Sequence, residues 1–134
     1  MNGPEAPAWI KWVERAEEDF LACHKLGADT DTFAHTIVYH SQQAAEKYVK
    51  AIFAQLGKEP PRTHNLLRLA ELLAPMGPSL ASIIADLNEL NPFAVAPRYP
   101  GEEADAARAR AALESAGRVR DHCRLLLGLG GSTP

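Results

Sequence analysis

The chain has 134 residues and a formal net charge of −3, with 46% of its residues apolar and 23% charged. This balance excludes a disordered chain, which lacks the apolar surface to fold, and a broadly basic nucleic-acid binder, so any anion site must be local. The length suits one domain able to bury about two thirds of its unfolded surface.

Trp9, Trp12, Val13, Ala16, Phe20 and Cys23 recur at helical spacing, with Lys11, Glu14, Arg15, Glu17 and Glu18 mostly opposite, and Gly27 closes this first helix. Asp29-Thr30-Asp31-Thr32 supplies capping chemistry for a second helix of about six turns. Its expected buried stripe is Phe33, Ile37, Ala45, Tyr48, Ile52 and Leu56, ahead of Gly57. Glu59-Pro60-Pro61 breaks the chain, and Thr63 or Asn65 caps a short third helix carrying Leu66, Leu69, Leu72 and Leu73. Pro75, Gly77 and Pro78 end it. Ser79 caps a fourth helix with Leu80, Ile83, Ile84, Leu87 and Leu90 inward, followed by a stiff connection from Asn91-Pro92 to Pro97–Gly101. Glu102 and Glu103 open a final helix, whose late cations Arg118, Arg120, His122 and Arg124 suit the macrodipole. No segment reads as a strand. The expected fold is all-α, an up-and-down antiparallel bundle of four to five helices over residues 9–127, with residues 1–8 and 128–134 as flexible ends.

No apolar run approaches the roughly 20 residues of a membrane-spanning helix, and Met1–Ala8 lacks a signal-peptide layout, so a cytoplasmic protein with no membrane contact is expected. Cys23 and Cys123 lie far apart without metal-type spacing and read as reduced, half-buried helix residues. His35 and His40 are five apart and point away from each other on a helix, the Asp29-x-Asp31 pair is accounted for by capping, and Gly128–Ser132 carries no lysine. Neither a metal nor a cofactor is expected.

The second helix also carries an ordered polar row. Gln42, Gln43, Glu46, Lys47 and Lys50 stack two amides, a carboxylate and two amines along one face. The row is either a structural polar seam or a binding surface.

Four separated motifs then occur in order: the Trp-bearing first helix with Ala16, Asp19 and Phe20; Gln42-Gln43-Ala44-Ala45-Glu46-Lys47; Arg62-Thr63-His64-Asn65-Leu66; and Pro97-Arg98-Tyr99-Pro100. Together they resemble the HEPN family, small helical domains named for nucleotide binding in higher eukaryotes and prokaryotes, over roughly residues 9–127. The resemblance implies a helical bundle, a homodimer, and a separately encoded minimal nucleotidyltransferase as partner, in a toxin–antitoxin or defence-like pair. Other members are ribonucleases, whose signature is an arginine and a later histidine with four to six residues between them. Arg98 has no histidine in that window, and Arg118 and His122 are too close and sit late in the final helix, so RNA cleavage is not expected.

An anion-binding cluster is the remaining candidate. Lys47 and Lys50, Arg62 and His64 before the third helix, and Arg98 between Pro97 and Pro100 could converge on a phosphate, with Tyr99 stacking on a base. In the structural alternative Glu46 meets Arg98, Gln42 or Gln43 satisfies loop carbonyls, and His64 bonds nearby backbone. The leading functional expectation is a noncatalytic interaction and nucleotide-binding module, with Trp9, Phe93 and Val95 as exposed apolar contacts. The alternative is a nucleotide- or RNA-handling enzyme using a histidine for proton transfer.

Overall fold

The computed structural model describes residues 5–93 and 104–130. Within them the chain is an all-α bundle of five helices, α1 (Ala8–Leu26), α2 (Thr30–Gln55), α3 (Leu66–Leu73), α4 (Ile84–Leu90) and α5 (Ala106–Leu127), joined by short 3₁₀ turns. Pro97–Gly101, Glu102 and Glu103 lie outside the described residues, as do Arg98, Tyr99 and Val95.

The long central helix α2 packs antiparallel to α1 and alongside α5. Contacts from Thr30 to Arg110, from Tyr48 to Arg124 and from Gln55 to the Leu127 carbonyl show that α2 and α5 run the same way. The returning segment before α3 makes this possible, because it carries the chain from the end of α2 back to its middle, where His64 meets Gln42 and Glu46. The short helices α3 and α4 form an antiparallel hairpin, and α4 lies antiparallel to α5 through Glu89–Arg108 and Asp86–Ser115. Ile37, Tyr48, Ile52, Leu66, Leu69, Leu73, Leu87, Leu90 and Val119 are fully buried, and alanines such as Ala16, Ala44, Ala51, Ala112 and Ala116 let the helices approach closely.

Capping sets the boundaries. The Asp29 side chain accepts from the Thr32 N–H at 3.1 Å, and the Thr32 hydroxyl and backbone hold its carboxyl below its usual range. Asn65, not Thr63, caps α3, its Oδ1 accepting from Leu67 and Arg68 at 3.1 Å each. Asp105 caps α5 by accepting from Arg108 N–H at 2.8 Å, and Gly128 ends that helix in the left-handed conformation at φ 81°.

Several expectations need correction. Phe33 sits at a break in α2 with φ −110° and ψ 18° and is exposed, and Leu56 is exposed at the cap where the chain turns away, so neither belongs to the buried stripe. Ser79 does not cap an α-helix: its Oγ accepts from the Ala81 N–H at 3.2 Å just ahead of a 3₁₀ turn (Ala81–Ile83) whose N-cap is Leu80, and the threefold period keeps Leu80 and Ile83 inward and turns Ile84 out. Gly27 closes α1 with an ordinary helical φ of −60°. A Cβ there would fall 2.8 Å from Leu113 Cδ2 on α5, so a larger residue would push the tip of that side chain aside. Cys23 and Cys123 are free thiols, as read, but fully buried. Trp9 packs partly buried against the core.

Among the described residues no helix is long and apolar enough to cross a membrane, and no cluster of metal-ligating side chains occurs.

Candidate functional site

The polar row of α2 divides between two carboxylates. Gln42, Glu46 and Lys50 fall at i, i+4 and i+8 and turn inward, all three buried. Glu46 Oε2 accepts from Lys50 Nζ at 3.1 Å, and its two oxygens accept from His64 Nδ1 at 3.0 and 3.1 Å. Gln42 Nε2 donates to Glu46 at 3.3 Å and to the His64 carbonyl at 3.2 Å, so one amide holds both the carboxylate and the loop beside it. Gln43 in turn donates to Gln42 Oε1 at 2.7 Å. The Lys50 ammonium also lies 5.8 Å from the centre of the Trp12 ring, a cation–π contact that helps hold a charge whose side chain is only 9% exposed.

Lys47 turns the other way. Its Nζ lies 2.5 Å from Asp19 Oδ2 on α1, and His40 Nδ1 donates to Asp19 Oδ1 at 2.7 Å. Asp19 is buried in phase with Ala16 and Cys23. Each of the two carboxylates therefore collects one lysine and one histidine, which satisfies a charge that would be costly if left alone in the interior.

The sequence-predicted anion cluster is thus redistributed. Lys50 and His64 share Glu46, Lys47 belongs to Asp19, and Arg62 is exposed. Arg98 and Tyr99 lie outside the described residues, so the Glu46–Arg98 pairing does too. Glu46 is engaged by Gln42, Lys50 and His64 without it. His64 bonds a side chain on another helix, where neighbouring backbone was expected. Its ring is 67% exposed, with Nδ1 on Glu46, and the loop holding it is fixed by Gln42 and by the Asn65 cap.

Sequence reasoning missed a third polar cluster. Of the α5 cations, Arg124 stands in the last turn and donates to the Gly130 carbonyl at 3.2 Å, while Arg118, Arg120 and His122 are engaged elsewhere in the bundle. Arg120 is buried and grips Glu17 on α1 with Nε and Nη2 at 2.6 and 3.1 Å. Glu17 also accepts from the Tyr48 hydroxyl, Arg124 stands 3.7 Å away, and the Arg120 guanidinium lies 5.0 Å from the Phe20 ring. Arg118 Nε donates to Asp86 at 2.9 Å beside Ser115 at 3.0 Å, and His122 Nε2 donates to the Ser79 carbonyl at 2.8 Å. The signal was present in the phase: Arg120 falls on the stripe of Ala116, Cys123 and Leu127, where a charge must be paired.

Burial pushes the Cys123 thiol up to about 12 and raises Cys23 as well, the latter chiefly by burial despite the Ser41 hydroxyl at 3.6 Å. Neither is a nucleophile at neutral pH.

The family model of the HEPN domain matches residues 10–126. No curated protein and no solved structure matches the chain.

Proposed function

The chain belongs to the HEPN family, and on that premise we propose that it is a noncatalytic interaction and nucleotide-binding module, a homodimer that works with a separately encoded minimal nucleotidyltransferase in a toxin–antitoxin or defence-like pair. The observation that carries the noncatalytic reading is the inward engagement of the α2 cations, Lys47 by Asp19 and Lys50 by Glu46. A lysine held by a buried carboxylate is a strut of the bundle and is not available to neutralise a transferring phosphate. The sequence supports the same reading, since Arg98 is followed by no histidine at ribonuclease spacing. Nucleotide binding, in this reading, falls to Arg62 and the outer edge of His64.

Purified chain incubated with single-stranded RNA should leave it intact, and gel filtration with the purified minimal nucleotidyltransferase of the same genome should give one co-eluting species. Separate elution sinks the partnership.

One observation favours a second reading, a nucleotide- or RNA-handling enzyme. An exposed imidazole whose Nδ1 proton rests on a buried carboxylate is held in one tautomer with Nε2 outward, the arrangement of a positioned general base. RNA cleavage by the parent that His64→Ala abolishes with its helical signal intact would establish the enzyme and refute the noncatalytic module.

A further inference from the structure

We propose that the protein partner of the preceding reading docks in the groove between α1 and α5, and that its docking element is a basic amphipathic helix, an apolar residue flanked by two lysines or arginines about two turns apart. The inference rests on that partnership and adds its face and its chemistry. The groove, of about 380 Å³, is floored by Phe20 and Leu113. His24 stacks on Phe20 with ring centres 5.9 Å apart. Apolar surface continues on both helices, where Leu21 is 46% and Leu125 68% exposed.

Gly117 leaves the groove open from above. A glycine in mid-helix is less stable than an alanine, yet the fold does not require one here. A Cβ would meet only the Phe20 ring, at an ordinary 4.0 Å. The missing side chain lowers the α5 wall, over which another helix can approach closely.

Charge selects the occupant. Glu114, Gly117, Asp121 and Leu125 form one stripe of α5, and Glu14, Glu17, Leu21 and His24 form the stripe of α1 that meets it. Glu14 and Glu114 are exposed without an ion-pair partner among the described residues, and Asp121 has only Arg120, at 3.7 Å. Nearby cations do not answer them, since Arg120 and Arg124 are drawn inward to Glu17 and Lys25 falls outside both stripes. A second copy would set acid against acid here, and a nucleic-acid strand would be repelled, which leaves a basic partner as the complementary one. Glu114 and Asp121 stand seven residues apart, about 10 Å along the helix axis. A helix lying along α5 therefore meets both with cations at i and i+7, and lowers the apolar residue between them past Gly117 onto Phe20.

Calorimetric titration of the full chain with the purified minimal nucleotidyltransferase of the same genome tests this. The parent should bind, and more weakly as salt is raised. Glu114→Lys with Asp121→Asn, both exposed positions, should weaken binding about tenfold or more with the helical signal kept, and Gly117→Leu should weaken it by raising the wall. The charge variant decides even if Gly117→Leu misfolds. Glu71→Lys, an exposed acid on α3, should leave the affinity unchanged. A parent that does not bind refutes the partnership and this face with it. Binding by the parent that the charge variant leaves unshifted, or that Glu71→Lys weakens equally, keeps the partnership and overturns this face.

Discussion

Glu46→Gln is the sharpest probe of whether the polar row holds the bundle together. It preserves volume and shape, so its cost reports charge and not a cavity. The substitution leaves the Lys50 ammonium, 9% exposed, without its carboxylate, and removes the anion that His64 and Gln42 address. Removing one partner of a buried pair costs about 3–5 kcal/mol. The Trp12 face and the flexible lysine stem recover part of that, which puts the expected loss near 3 kcal/mol. For a domain of this size the unfolding midpoint should fall by about 10 °C. Adding Lys50→Met removes the stranded charge and should recover about 2 kcal/mol, because an apolar side chain replaces an ion pair at little net cost. Urea and thermal unfolding followed by circular dichroism measure all three proteins. A ligand-facing row predicts instead a Glu46→Gln protein within about 0.5 kcal/mol of the parent. That result, or a double variant no more stable than the single one, would refute the seam.

Other predictions follow the same contacts. Arg120→Ala removes the buried guanidinium that grips half-buried Glu17, which keeps only the Tyr48 hydroxyl and the more distant Arg124, and should cost about 2–3 kcal/mol, whereas Arg118→Ala, whose guanidinium is exposed and whose Asp86 keeps Ser115, should cost under about 1 kcal/mol; equal losses in thermal denaturation would contradict the assignment of Arg120. Asn65→Ala removes the acceptor for Leu67 and Arg68 and should lower stability by about 1 kcal/mol in urea unfolding, and an unchanged midpoint would discard the cap. Because burial raises both thiols, each stays protonated at pH 8 and sheltered, so an aromatic disulfide reagent should label them only as fast as the protein unfolds; prompt labelling of the native protein would contradict this.

The helices were legible because an amphipathic period, a cap and a breaker each leave a local mark. Asp29, Asn65, Gly57 and Pro75 stand where those marks predict. What the period conveys is a direction around one helix axis, not the neighbour found in that direction. Lys47 and Lys50 read as one face, yet Lys47 reaches across to Asp19 on α1 while Lys50 turns back along its own helix to Glu46, beside the Trp12 ring. Glu17 read as solvent-facing beside Glu14 and Glu18, but α5 covers that side of α1 and supplies Arg120. The Glu46–His64 contact joins positions 18 apart across a proline-containing turn, and no local rule predicts the path of that return. The 3₁₀ start of the fourth helix escaped for a similar reason, since three residues per turn and 3.6 diverge too little over one turn to be separated by pattern.

The two asparagines at the base of the α3–α4 hairpin carry a kinetic consequence. Asn91 Oδ1 accepts from Leu66 N–H at 2.8 Å, and its Nδ2 donates to Asn65 Oδ1 at 3.1 Å, while that same oxygen caps α3. The beginning of one helix and the end of the other are therefore clipped together where the segment leaves the bundle. A hairpin closed in this way gains little by fraying from either end, since releasing the first turn of α3 also releases the last turn of α4. Its amides should exchange with solvent as one cooperative unit, opening and closing together while the α1–α2–α5 layer stays protected.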